Sequence, residues 1–219
     1  MNPSEKIPQE RRGPLLEATR EFAHRLDELY GLYLDASTGF KANVAGIKER
    51  QEARVQQGAS LAELDQLRFF YGRGDPNKPT SYVQHQTTQG QYKARNEVGG
   101  ANYRLLSQTF IVFVFHLWDN EYRQNFAQLL GMKEAEELSL PILGDFRLLR
   151  NDILKHRGVL TEDKSRRLEV IDNLVVGQGI TFSADDIEQL VRTIKASLDN
   201  MVLSATGIDP EFRKVWRLQ

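Results

Sequence analysis

Apolar side chains that recur every three or four residues are the feature that most constrains how this chain can fold. This spacing places them on one face of an α-helix, whereas a strand would need strict alternation. The pattern predicts an all-α protein, an up-and-down bundle of four or five main helices in a single domain over residues 1–219. The helical segments run from Pro14 to about Val55, then over 61–70, 101–130, 141–158 and 183 to about 201.

Glycine and proline mark the places where these helices should bend or end. Gly31 and Gly39 weaken the first segment and predict a bend or break near residues 37–39. Residues 72–96 combine glycines, prolines and a polar run, so they are predicted to form a polar loop insertion. A short helix is expected from about residue 161 to about 174.

Composition excludes several classes of function. The formal net charge is -1, so any nucleic-acid site must be a local basic patch. The chain has no cysteine, which rules out disulfides, thiolate metal sites and a cysteine nucleophile. No metal-binding, phosphate-loop or serine-hydrolase motif is present, so neither a metal nor a cofactor is predicted.

The protein is expected to be cytoplasmic, with no membrane partner. The longest apolar run, Phe110–Phe115, is too short to span a bilayer. The first residues, Met1–Gly13, lack the apolar core of a signal peptide. The absence of cysteine suits a reducing compartment.

The segment from Arg150 to His156 carries the strongest chemical signal. On a helical wheel the core stripe of this helix contains Ile142, Phe146, Leu149 and Ile153, and His156 falls on the same stripe. Arg150 lies about 120° around the helix from His156 and about 9 Å back along the axis. One straight helix therefore places the two side chains poorly for gripping one phosphate together. Two copies of the helix across a twofold axis would form a composite site.

A second, partly apolar face of the same helix is predicted to meet a partner. This face carries apolar side chains among its polar ones, and exposing apolar side chains to water is unfavourable. Its members are Leu143, Arg147, Arg150, Asn151 and Leu154.

These residues carry a resemblance to a known family. Arg150-Asn151, four further residues and then His156 is similar to the motif of HEPN domains. The flanking segments 144–151 and 156–158, together with 117–123, resemble the bacterial toxin and defence branch of that family. The resemblance covers a core of about 101–203, and it leaves residues 14–70 as an N-terminal helical extension.

The resemblance implies a homodimer that cleaves RNA without a metal, with an antitoxin or regulatory protein as a further candidate partner. His156 would move protons, since its unperturbed pKa lies near neutrality. Arg150 would stabilise phosphate charge, and Asn151 would orient the substrate. Candidates for holding the RNA backbone are Lys155, Arg157 and Arg147, and candidates for lining the cleft are Glu121, Arg123 and Asp145.

Alternative interpretations remain open at the level of sequence. The chain is either a non-catalytic HEPN module that binds nucleic acid or a protein, or a structural helical protein with an accidental motif. His156 would then satisfy the helix end, and Arg150 would pair with Asp145 or Asp152. The stretch around Tyr82, with Lys and Arg residues near it, either touches RNA or is disordered.

Overall fold

The computed structural model describes residues 6–75 and 78–212, and most of them are helical, which confirms the predicted all-α class. The helices are α1 (Gln9–Val55), α2 (Leu61–Gln66), α3 (Gln89–Asn96), α4 (Ala101–Leu117), α5 (Arg123–Leu129), α6 (Pro141–Lys155), α7 (Glu162–Ser165) and α8 (Ala184–Thr206). A π-helical segment (Trp118–Tyr122) joins α4 to α5, and a 3-10 turn (Ala135–Glu137) precedes α6. The strands are β1 (Arg68–Arg73) and β2 (Tyr82–Thr88).

The chain divides into two compact units. One comprises residues 1–34 and 106–219, here called the helical unit; the other comprises residues 35–105, here called the hairpin unit. Within the described residues, no helix is both long enough and apolar enough to cross a membrane.

The helical unit has one continuous hydrophobic core. Its centre is aromatic: the ring of Phe22 packs against Trp118, Tyr122 and Phe126, with ring centroids 5.0 to 6.3 Å apart. The predicted α6 stripe faces this core, and Ile142, Phe146 and Leu149 are fully buried, while α8 contributes Ile187, Ile194, Leu198 and Val202. Each such side chain contributes about 1.5–3 kcal/mol by leaving water.

A π-helical segment lies within the long apolar helix. The predicted helix over 101–130 is present as α4, the π-helical segment and α5. A π-helical turn contains about one residue more than an α-helical turn, and Trp118 and Tyr122 at the two ends of the segment are both buried. Burial also raises the pKa of the Tyr122 phenol to about 12, with Glu21 as the next cause.

The predicted break in the first helix is wrong, because α1 runs without interruption from Gln9 to Val55 and includes Pro14. A glycine in a helix interior costs only about 1 kcal/mol, and tertiary packing offsets such a cost. Tyr33 is buried in the helical unit, while Val44 and Ile47 are buried in the hairpin unit.

The predicted loop over residues 72–96 is also wrong in part. β1 and β2 pair antiparallel, with Tyr71 opposite His85 and an irregularity between Tyr71 and Gly72. α3 follows β2 directly, and Thr88 caps it with a capping box completed by Gln91. Aromatic and β-branched residues favour strands, and β1 also ends the preceding helix at Gln66 instead of residue 70.

The segment between α6 and α8 is mostly irregular. α7 ends at Ser165, so the helix expected to reach residue 174 is shorter than predicted. Val159 forms an isolated antiparallel bridge with Gly179. The rest of the segment is held by a buried carboxylate of α6, which belongs to the site described next.

Candidate functional site

The motif lies at the C-terminal end of α6. Pro141 begins the helix, where its missing N–H costs nothing. At the other end His156 is the capping residue, and the carbonyl oxygen of Asp152 accepts hydrogen bonds from the N–H groups of His156 and Gly158, at 2.9 and 3.2 Å. The site is thus a helix terminus followed by a tight turn.

Two consecutive residues after His156 adopt left-handed backbone conformations. The φ angles are +56° at Arg157 and +72° at Gly158. Glycine is favoured at the second position by its positive φ, and a Cβ there would also lie 2.3 Å from Nε2 of Gln108, whose side chain would have to shift. A left-handed arginine is uncommon and costs about 1 kcal/mol or more. These two conformations form the tight turn that ends the helix immediately after His156.

Two buried carboxylates of α6 hold the chain that follows the motif. Asp145 accepts hydrogen bonds from the backbone N–H groups of Glu169, Val170 and Ile171, at 2.8 to 2.9 Å. Asp152 accepts from the N–H of Thr161 at 2.7 Å and from its hydroxyl at 3.0 Å. Both carboxylates are satisfied by these donors. Asp145 therefore lies in the interior. The sequence had suggested instead that it lines a cleft.

His156 is exposed to solvent while remaining close to one of these carboxylates. Its side chain is 51% exposed, and its Nε2 atom lies 4.0 Å from Oδ1 of Asp152. Half of the imidazole side chain is therefore accessible to a ligand while one of its nitrogens lies near a carboxylate.

Arg150 is held by an aromatic ring. Its guanidinium carbon lies 5.6 Å from the ring centroid of Phe115, a cation–π distance. The alternative pairing of Arg150 with Asp145 or Asp152 does not occur among the described residues. Arg150 therefore keeps its charge uncompensated by a carboxylate in the described part of the chain.

A recess of about 190 Å³ is lined by Phe115, the residue whose ring contacts Arg150, although Arg150 itself does not line it. The remaining lining includes Trp118, Arg123, Glu136, Ser139, Leu143 and Arg147. Arg123 is partly committed to the structure, since it pairs with Asp119 at 3.2 Å and donates to the carbonyl of Leu138. Arg147 is exposed and forms no ion pair with any residue in the described part of the chain, and the recess also contains the carboxylate of Glu136.

The other predicted residues are divided between the C-terminal end of α6 and the π-helical segment. Lys155 and Arg157 are exposed, Asn151 is half-buried, and Glu121 is exposed on the π-helical segment. The predicted second face is only partly available, because Leu143 is buried in the core whereas Leu154 is 59% exposed. Arg147 and Arg123 meet at the recess, and His156 lies beyond the helix end.

Sequence reasoning missed the roles of Asp145, Asp152 and Phe115. A signal for the two carboxylates existed, since residues 145 and 152 lie within about 60° of Leu149 on the wheel. Charged residues on an apolar stripe are buried only when paired or hydrogen-bonded. The contact between Arg150 and Phe115 joins distant parts of the sequence, and it left no local signal.

No protein-family profile matches this chain. Neither a curated protein nor a solved structure matches it. Among residues 6–75 and 78–212, no group of three or more His, Cys, Asp or Glu side chains is arranged to hold a metal ion.

Proposed function

We propose that this protein is a metal-independent endoribonuclease of the HEPN type, acting as a homodimer with a composite site. The observation that carries the proposal is the environment of Arg150: its guanidinium lies over the ring of Phe115 and has no carboxylate partner among the described residues. Such an arginine suits a phosphate, and the recess that Phe115 also lines contains a further cation, Arg147. Exposed His156 at the end of the same helix supplies an imidazole, a group that can accept and donate a proton.

The proposed reaction is an internal transesterification. The RNA 2′-hydroxyl loses its proton to His156 and attacks the adjacent phosphorus. The bond from phosphorus to the 5′-oxygen breaks, the leaving oxygen takes up a proton from solvent, and His156 returns the proton it gained to solvent. The products are a 2′,3′-cyclic phosphate and a 5′-hydroxyl end. Arg150 stabilises the charge that develops on the phosphoryl oxygens.

The positions of Arg150 and His156 on α6 are the reason for proposing that a second subunit completes the site. Arg150 and His156 are about 9 Å apart along the axis and about 120° apart around it. The turn at Arg157 and Gly158 directs the chain away after His156. We therefore assign the arginine of each site to one subunit and the histidine to its partner. Exposed Leu154 lies on α6 between the two and suits such a contact.

Further polar residues have supporting roles in this proposal. Arg147 in the recess and Lys155 and Arg157 at the helix end would hold the RNA backbone by charge. Half-buried Asn151 follows Arg150 and would orient either the substrate or the partner helix. Asp152 is a positioning residue, since it contacts His156 and not the reacting atoms.

The proposal is tested by cleavage of mixed single-stranded RNA in EDTA. Wild type should release 2′,3′-cyclic phosphate ends, while the variants His156→Ala and Arg150→Ala should lose activity by at least about a hundredfold. His24→Ala and Arg20→Ala are matched controls on the exposed surface of α1 and should retain activity. Equal cleavage by wild type and His156→Ala would refute the catalytic role. No cleavage by wild type would favour a non-catalytic binding module.

Complementation tests the composite arrangement separately. If each site takes Arg150 from one subunit and His156 from the other, mixed dimers of the two inactive variants contain one intact site. Random mixing would then restore about a quarter of the wild-type activity. No recovery after verified subunit exchange, or a monomer in solution by light scattering, would contradict the composite site.

A further inference from the structure

The hairpin unit carries exposed aromatic side chains on its two-stranded sheet. Phe70, Tyr71, Tyr82 and Val83 are each 45–56% exposed. Large apolar side chains at neighbouring exposed positions are unusual on a surface that meets only water.

The strand register places Tyr71, Tyr82 and His85 on one face. Tyr71 lies opposite His85, and Arg73 lies opposite Tyr82. Directly opposed residues share a face. Tyr82 and His85 are three positions apart on β2, but the irregularity in the ladder leaves one residue between them without a partner on β1, so Tyr82 is placed on the same face as His85. We call Tyr71, Arg73, Tyr82 and His85 the aromatic face of the hairpin.

α3 supports one end of the aromatic face and leaves the other uncovered. The hydroxyl of Tyr71 lies 3.5 Å from that of Tyr92, and Arg95 contacts Nε2 of His85 at 2.8 Å. The guanidinium of Arg95 also lies over the Tyr92 ring at 5.0 Å. These contacts fix the orientation of Tyr71 and His85, so the rings form a preorganised surface.

The hairpin and α3 carry more basic than acidic side chains. Residues 68–96 contain five basic side chains and a single acidic one, Asp75, although the whole chain has a net charge of -1. Arg73 belongs to the aromatic face, is exposed and forms no ion pair with any residue that the structure describes. Arg68 is three positions from Tyr71 on β1 and therefore lies on the opposite face. Exposed rings beside an exposed cation are complementary to a nucleic-acid strand.

We propose that the aromatic face binds single-stranded RNA, with Tyr71 and Tyr82 stacking on bases and Arg73 neutralising a phosphate. Stacking requires unpaired bases, so duplexes should bind less tightly. The choice of RNA over DNA rests on the proposed function, since the rings and cations alone suit either strand. The face would hold substrate at a place separate from Arg150 and His156.

The experiment measures fluorescence anisotropy of a labelled, uridine-rich 12-mer of 2′-O-methyl RNA, which cannot be cleaved because its attacking hydroxyl is blocked. Tyr71→Leu/Tyr82→Leu should weaken binding about tenfold or more, whereas Tyr71→Phe/Tyr82→Phe should retain it. Phe113→Leu, an exposed aromatic of the helical unit, is the matched control and should bind normally. Far-UV circular dichroism would verify that each variant is folded.

Arg73→Gln should lower the slope of log affinity against log salt by about 0.7. The inference is overturned if the leucine pair binds like wild type, if the phenylalanine pair loses binding, or if wild type shows no binding at low salt. Tighter binding of a DNA 12-mer would overturn the choice of RNA. Because the probe cannot be cleaved, these results are independent of the cleavage assay, so either proposal can fail without the other.

Discussion

His156 and Asp152 are one helical turn apart, with Nε2 of the first 4.0 Å from Oδ1 of the second, yet they have opposite environments: the histidine side chain is 51% exposed and the aspartate fully buried. The same carboxylate accepts two hydrogen bonds from Thr161. Asp152 therefore links the candidate catalytic histidine to the turn that follows it.

Substitutions at these two positions should have very different effects on the free energy of unfolding. Asp152→Asn is expected to lower the free energy of unfolding by about 2–3 kcal/mol, because the amide cannot make both charge-assisted bonds to Thr161. His156→Ala should change it by less than about 0.5 kcal/mol, since the side chain is exposed. Urea unfolding followed by circular dichroism measures both values. Similar losses in the two variants would contradict this assignment.

Asp145 should be a stronger structural determinant than any surface carboxylate. Asp145→Asn places an amide against three backbone N–H donors, and a loss of about 2–4 kcal/mol is expected. The matched control is Asp27→Asn, which breaks an exposed pair with Lys195 and should cost at most about 1 kcal/mol. Thermal unfolding of the three proteins gives the comparison. An unchanged free energy of unfolding in Asp145→Asn would show that the segment 169–171 is held by other contacts.

The helical segments and the core stripe of α6 were predictable because helical periodicity is a local signal. Ile142, Phe146 and Leu149 are buried as the wheel indicated. The hairpin was missed because its strands are largely exposed and carry little alternation of burial. The uninterrupted α1 was missed because burial of Tyr33 and Ile47 is decided by tertiary packing.

The candidate site was predictable to a smaller extent. The spacing of the motif identified Arg150 and His156 as candidates. It did not indicate which side chains surround either residue. Phe115 is 35 positions before Arg150, so their contact follows only from the packing of α4 on α6. Asp145 was expected at the surface because carboxylates usually are, and its three backbone donors explain the exception.

Two glycines of the hairpin unit should respond oppositely to alanine. A Cβ on Gly100 would lie 2.4 Å from the carbonyl oxygen of Ala94, a backbone atom that cannot move easily. Gly100→Ala should therefore cost about 1–3 kcal/mol. Gly39 lies inside α1 with nothing within 4 Å of the added methyl group. Gly39→Ala should stabilise by about 0.5–1 kcal/mol. Urea midpoints measure both changes, and a shift in the same direction for both would contradict the geometry.

The acid stability of the hairpin unit should depend on Asp65. Its hydrogen bonds with Lys93 and then Gln51 hold the pKa of this carboxyl below its ordinary value. A carboxyl whose pKa is lower in the folded state stabilises the fold at pH values above the unfolded pKa, and this contribution is lost as the pH falls through the folded pKa. Wild type should therefore be more stable than Asp65→Asn at pH 6, and the difference should shrink at pH 3. Melting temperatures of both proteins at the two pH values provide the measurement.

In a Lys93→Met background, which removes the larger cause of the shift, the pH-dependent part of the difference should also decrease. A difference that stays constant between pH 6 and pH 3 would show that Asp65 acts through packing and not through its charge.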